Sequence, residues 1–494
     1  MAENKDSYRN VVKATSLFGG VQVLNILISI VRSKVIALLI GPTGMGIAGL
    51  LSSTMSLVNG LTNFGLENSA VKDISFANNN EDQKKVFRTI NILRRLVWYT
   101  VTLGVLIMII AAPLLSEYAF GNKEYTNSFR WISLSLLFTQ LSSSQLAVLQ
   151  GLRRLKSLAK ANLFGNLLGL IITLPLYYFF RIDAIVPAII IAAFMSFIFT
   201  FYFIKKESIQ EVSLTNKQVF VEGKAMITLG LMLSFSSMIT LLVAYVIRIY
   251  ISKVGGVNEV GLYTAGFLIL NSYVGIVFNA MGTDYFPRLA AISEEIIKIR
   301  KAVFEQALIA VLLITPIIVI FLTFSPLIIT ILYSEEFLPI VGLVSWGILG
   351  MLFKAVSWSM GYVIIAKGDS KVFIKTAIVF NSLLLLLNIF GYYYGGLEGL
   401  GISFLIYYII HYFSIRIITY YRYNFYFEKG FYKIFIFTVI MCLAAFGFTF
   451  ISEDITRYVL MSIMILLSVG YSYRQLDERI AIKDFISSVF KRKK

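Results

Sequence analysis

The chain has 494 residues, is 58% hydrophobic with 40 Phe and 28 Tyr, and has a mean hydropathy of +0.79, which excludes a soluble globular protein. Its apolar runs are about 20 residues long, the length of a spanning helix and twice that of an outer-membrane strand, which excludes a β-barrel. A formal charge of +17 would suggest nucleic acid in a soluble domain, but here Lys and Arg cluster in short segments between apolar runs. That pattern marks membrane topology, and no nucleic-acid partner is expected.

The N-terminal stretch MAENKDSYRNVVKATS mixes acidic and basic residues ahead of a run too long for a signal peptide, and reads as a cytosolic tail leading into a retained first helix. Hydropathy then predicts fourteen spanning segments. They lie near 13–40, 44–70, 96–115, 129–149, 161–180, 185–204, 225–251, 260–283, 303–332, 338–365, 376–394, 399–418, 434–450 and 458–473. Between the second and third, the stretch 78–96 sets Val86, Ile90 and Leu93 at helical spacing beside Lys84, Lys85 and Arg88, the pattern of an interfacial helix. With the N-terminus inside, the inner segments carry 35 Lys and Arg against five in the outer loops. This places both termini in the cytoplasm of an inner-membrane protein.

The polar linker 205–224 follows six spans and is the expected boundary between two halves. At an offset of 215 residues Gly46 matches Gly261, Gly60 matches Gly275, Lys156 matches Lys371, and Asn166 matches Asn381. The predicted organisation is therefore an N-terminal six-helix lobe (1–222), a second six-helix lobe (223–420), and an extra helix pair with a basic tail (421–494). Two such copies start on the same side of the membrane. Their pseudo-symmetry axis runs along the membrane normal, around a central cavity that opens to each side in turn.

Four cations interrupt the apolar runs: Arg32 and Lys34 in the first, Arg248 in the seventh, and Lys354 in the tenth. A charge at membrane depth costs roughly 2.5 to 3.5 kcal/mol on insertion scales, so such residues face a bundle interior or a wet cavity. Arginines from the opening helices of two lobes suit a diphosphate, because guanidinium forms bidentate bonds to phosphate oxygens. Gln22, Asn25, Asn59, Gln145 and Asn271 are candidates for bonding sugar hydroxyls, although interhelical bonding is an equally common use. Glu67, Asp284 and Arg288 stand at inner span ends, where a cytoplasmic gate would lie. The lone Cys442 and lone His411 allow neither a disulfide nor a zinc cluster, no GxxxxGK[ST] loop occurs, and no cofactor is expected.

The run VRSKVIALLIGPTGMGIAGLLSSTMSLVNGLTNFGLENSAVKDIS closely resembles the amino-terminal signature of Wzx-type O-antigen translocases, the polysaccharide flippases. QGLRRLKSLAKANLFGNLLG and SEEFLPIVGLVSWGILGMLFKAVSWSMGYVIIAKGDSKVF are similar to the matching later regions. The resemblance covers about residues 10–420 and implies membership in the multidrug/oligosaccharidyl-lipid/polysaccharide exporter superfamily. It implies a non-enzymatic flippase with two six-helix lobes, which carries an undecaprenyl-diphosphate-linked oligosaccharide to the periplasmic leaflet and neighbours a polysaccharide polymerase machinery. Arg32 and Arg248 match the positions of cavity arginines in such flippases. The alternatives are a cation-coupled multidrug antiporter, for which no carboxylate stands in the middle of a long span, and a lipid II flippase. Lipid II flippases also have an extra helix pair.

Overall fold

The structure is a computed structural model that describes residues 2–480 except 81, 276, 279–284, 286–287 and 290–291; the side chains of residues 2–20, 22, 23 and 480 also fall outside it. Among the described residues all regular secondary structure is helical, and ten helical stretches are long and apolar enough to cross a bilayer. It is an all-α polytopic membrane protein. Four of the stretches, Leu24–Thr62, Leu155–Lys205, Asn216–Val274 and Ser370–Tyr423, hold 39, 51, 59 and 54 residues. Each far exceeds the roughly 20 residues of a single crossing.

Each of the four is broken internally. Helix α1 (Ala2–Thr62) kinks at Gly41, whose φ of 62° and ψ of −170° suit a residue without Cβ. Pro42 follows, with its φ preset for a first helical turn. The break between α6 (Leu155–Phe180) and α7 (Ile185–Lys205) is a 3₁₀ turn at Arg181–Ala184. Helix α8 (Asn216–Leu268) kinks at Gly256, with φ 86°.

One compact unit comprises Met1–Gly261 with Leu332–Ser334. Its second apolar run ends at Thr62, earlier than the expected residue 70: the Asn63 side chain accepts a bond from the Gly65 N–H at 2.9 Å, and Gly65 is left-handed with φ 64°. A separate helix, α2 (Leu66–Asn79), follows. Next, α3 (Gln83–Ile110) is capped by Asp82, which accepts from the Lys85 N–H. Its stripe of Val86, Ile90 and Leu93 does not lie on headgroups as expected. It is fully buried against Leu66, Ile74, Leu149 and Val219, because it lies on α3, a single helix that continues unbroken into the apolar run. The short α4 (Ala112–Phe120) and then α5 (Thr126–Gly151) continue this unit.

The other unit comprises Leu262–Ile331 and Glu335–Lys494. Here a π-helical segment, Ile269–Val274, continues α8, followed by α9 (Ile296–Leu332). Helix α10 (Val341–Ala366) is largely buried and packs along α11 (Ser370–Tyr423), itself kinked at Gly396. The expected extra helices are present as α12 (Lys429–Phe448) and α13 (Asp454–Ile480). Aromatic contacts seat α12 on the unit: Phe435 lies edge-on to Phe353 at 5.7 Å and Trp346 packs on Phe446 at 4.5 Å. Large apolar side chains such as Phe179, Ile110 and Leu466 stay over 70% exposed, as lipid-facing residues do.

Candidate functional site

Arg32 lies on α1 in the first unit, and its guanidinium reaches the main-chain oxygen of Asn166 on α6 at 3.5 Å. The Asn166 side chain in turn donates to Asn25 Oδ1 at 3.1 Å, so two asparagines 141 residues apart and the arginine form one polar chain between α1 and α6. Arg32 Nε is buried and has no hydrogen-bond partner. A buried unsatisfied donor costs about 1 to 3 kcal/mol. The Lys34 ammonium donates to the carbonyl of buried Tyr333 at 2.5 Å, and Arg248 donates to the Ala244 carbonyl one turn back on its own helix at 3.1 Å.

In the second unit Lys354, on α10, donates to Asn271 Oδ1 at 3.1 Å. Three rings surround the ammonium: Tyr408 at 5.3 Å, Phe278 at 5.6 Å and Phe404 at 5.9 Å. All are within the distance at which a ring face attracts a cation. Behind the cage lies His411, packed on Phe380 at 4.4 Å, its Nδ1 buried without a hydrogen bond. The hydrogen bonds of Arg32 and Lys354 thus go to amide and carbonyl oxygens, not to carboxylates.

The remaining sequence candidates are distributed differently. Asn59 and Gln145 each hold a buried side-chain oxygen without a partner in the first unit. Glu67 accepts from Ser143 within the first unit, not from a basic gate partner. Arg288 reaches Gln306 Oε1 at 3.5 Å. Asp284 and the Gln22 side chain lie outside the described residues. The rings around Lys354 were not singled out from the sequence, because with 15% aromatic residues one more ring carries no signal. Ion pairs among the described residues concentrate at helix ends and rims, as in Arg88–Glu222, Arg154–Glu207 and Arg422–Asp369.

Long apolar helices that carry charges and are broken internally define a polytopic membrane protein. A solved inward-facing multidrug resistance MATE family transporter of the MOP superfamily superposes with a TM-score of 0.67 at 12% identity, over 87% of this chain and 98% of that one. A solved lipid II flippase in an inward closed conformation also gives 0.67, at 13% identity, over 95% of this chain and all of the other. By sequence, the chain is 23% identical over 360 residues to the lipid III flippase of Escherichia coli (strain K12), covering 69% of this chain and 82% of that protein. It is 24% identical over 345 residues to a putative O-antigen transporter of Shigella flexneri, covering 67% and 79%. The family described as "Polysaccharide biosynthesis protein" matches residues 35–342, more than half of the chain, and the chain belongs to that family. Its fold is the one shared by those solved MATE-family and lipid II flippase structures.

Proposed function

We propose that the protein flips a polyprenyl-diphosphate-linked oligosaccharide, such as an undecaprenyl-diphosphate O-antigen repeat unit, from the cytoplasmic to the periplasmic leaflet. The observation that carries this reading is that Arg32 and Lys354 sit in apolar helices with only neutral oxygens and rings for company. A diphosphate is the missing counter-charge. Charge-assisted bonds from Arg32, Arg248, Lys354 and Lys34 would hold it. Asparagines and glutamines of the spans, Asn25, Asn59, Gln145 and Asn271 among them, would meet the sugars, while the tail stays in lipid. Moving phosphates and sugars through bare hydrocarbon is prohibitive, so the protein's work is alternating access and it breaks no bond.

In this reading the four internal breaks turn ten long helices into fourteen crossings, with both termini cytoplasmic. The lobes are 1–222 and 223–420, and 421–494 adds the final pair. The repeat offset of 215 residues gains support from the contacts. Asn258 Nδ2 donates to Thr43 Oγ1, its counterpart, at 3.3 Å. A Cβ on Gly261 would stand 2.9 Å from the nitrogen of Gly46, also its counterpart. Equivalent positions of two repeats meet one another only beside the axis that relates them.

The decisive test is translocation in proteoliposomes of a polyprenyl-diphosphate glycan, compared with lipid II and with organic cations. Transport of the glycan is expected. Uptake of organic cations without glycan movement would establish the antiporter alternative instead.

A further inference from the structure

A flippase must return without its substrate, and a resident ammonium then lacks the anion that neutralised it. Resting on the flippase reading above, we propose that the ring cage of Tyr408, Phe404 and Phe278, with Asn271, is a built-in stand-in for the substrate diphosphate, parking Lys354 during the empty return.

Three observations converge on this cage. The ammonium has one amide oxygen at 3.1 Å and three ring faces at 5.3 to 5.9 Å, a set that supplies negative potential without a formal charge. Asn271 reaches it from a π-helical segment, Ile269–Val274, a geometry well under 1% of residues and concentrated at functional sites. The extra residue per turn re-aims the side chain. Gly275 allows that segment its close packing, since a Cβ there would fall 2.0 Å from the Asn271 carbonyl oxygen. Rings brace the cage: Tyr408 meets Phe404 edge-on at 4.7 Å and Tyr407 at 4.9 Å.

A carboxylate in place of the rings would pair with Lys354 permanently and compete with the diphosphate. Bare hydrocarbon would leave the charge unsolvated whenever the site was empty. Rings fall between these limits: they hold the cation more weakly than charge-assisted bonds to phosphate do, so an arriving diphosphate draws it away. The cage lowers the barrier for the unloaded leg and leaves the loaded leg unaltered. Tyr408, Phe404 and Phe278 are therefore positioning residues that act through Lys354.

The test separates the two legs. Proteoliposomes carrying wild-type protein, Tyr408→Leu, Phe404→Leu or Tyr408→Phe are given a fluorescent polyprenyl-diphosphate trisaccharide. It is supplied either in one leaflet only, where net flux needs the empty return, or in both, where exchange runs loaded in each direction. Each leucine variant should slow net flux about tenfold while exchange stays within about twofold of wild type, and Tyr408→Phe should match wild type in both. Phe404→Leu carries the readout should Tyr408→Leu fail to accumulate. An equal fall in net flux and exchange, or no fall in either, overturns the parking role but leaves the flippase intact. Wild-type protein that moves no diphosphate lipid in either format overturns the flippase reading itself and this one with it.

Discussion

Gly65 and Gly230 meet backbone to backbone in the first unit: a Cβ on Gly65 would fall 2.1 Å from the Gly230 carbonyl oxygen, and one on Gly230 would fall 2.4 Å from the Phe64 oxygen. Asn68 continues the same seam by donating to Ser234 Oγ at 3.3 Å. At the other end of α8, Gly46 lies as closely against Val257, with a Cβ 2.0 Å from its oxygen. The seam between α8 and the α1–α2 segment is thus closed at both ends by glycines that let the backbones touch.

Gly230→Ala must push this seam apart. Overpacking costs typically about 1 to 3 kcal/mol. In detergent the variant should melt below wild type, and a cysteine at Ser234 should react faster with an aqueous maleimide in Gly230→Ala than in the parent. A melting temperature and labelling rate equal to those of the parent would show that the backbones separate without cost.

At one rim of the second unit, Asp369 caps α11. Its carboxylate accepts from the Arg422 Nε at 2.8 Å, the Val372 N–H at 3.2 Å and the Tyr423 hydroxyl at 3.1 Å. The Arg422 bond, followed by the Val372 N–H, holds this carboxyl below its ordinary value. A depressed folded value means stability that is present above the unfolded value of about 3.9 and is lost as pH falls through the lower folded value. Asp369→Asn keeps a capping oxygen but loses the charge. Thermal melts from pH 7 to pH 3 should show a constant deficit for Asp369→Asn at higher pH that begins to narrow below about pH 4. A deficit that does not narrow at all down to about pH 3 would assign the effect to capping geometry rather than charge.

Much of the molecule is legible from its residues because lipid imposes a simple rule on length and polarity. The all-helical polytopic fold and the apolar helices Lys429–Phe448 and Asp454–Ile480 follow from that rule. The break at Asn63–Gly65 was missed because hydropathy continues through Phe64 and Leu66, and only the Asn63 bond to the Gly65 N–H ends the helix. The stripe on α3 was misplaced because an apolar face beside lysines reads alike whether it meets headgroups or protein. Asn25 and Asn166 each stand out as polar residues in apolar runs, yet nothing in a sequence pairs two asparagines on different helices. The cage around Lys354 depends on a π-helical register that no periodicity announces.

The Asn25–Asn166 bond is open to a double-mutant cycle. Interhelical hydrogen bonds in membranes average about 0.6 kcal/mol and reach about 1.7. Asn25→Ala and Asn166→Ala should each lower stability, and the double variant should lose less than their sum by an amount in that range. Strict additivity would mean that the bond contributes nothing to holding α1 on α6.

Arg32 should show the opposite relation between stability and function. Its Nε is buried without a partner, so replacing the guanidinium by an apolar chain of similar length removes an uncompensated donor. Arg32→Met is expected to melt at or above wild type while losing transport of the diphosphate glycan. A variant that retains full transport would remove Arg32 from the binding set.

Arg248 separates charge from geometry. Its Nη1 donates to the Ala244 carbonyl one turn back on its own helix, which fixes the orientation of the planar fork. A hydrogen bond to a charged group contributes about 1.5 to 3 kcal/mol, so Arg248→Ala should cut transport by roughly ten- to a hundredfold at unchanged abundance. Lysine keeps the charge but not the fork. If both phosphates are gripped together, Arg248→Lys should sit close to the alanine variant. Transport by Arg248→Lys near the wild-type rate would instead assign Arg248 the role of a point charge, with the geometry of the grip residing on Arg32.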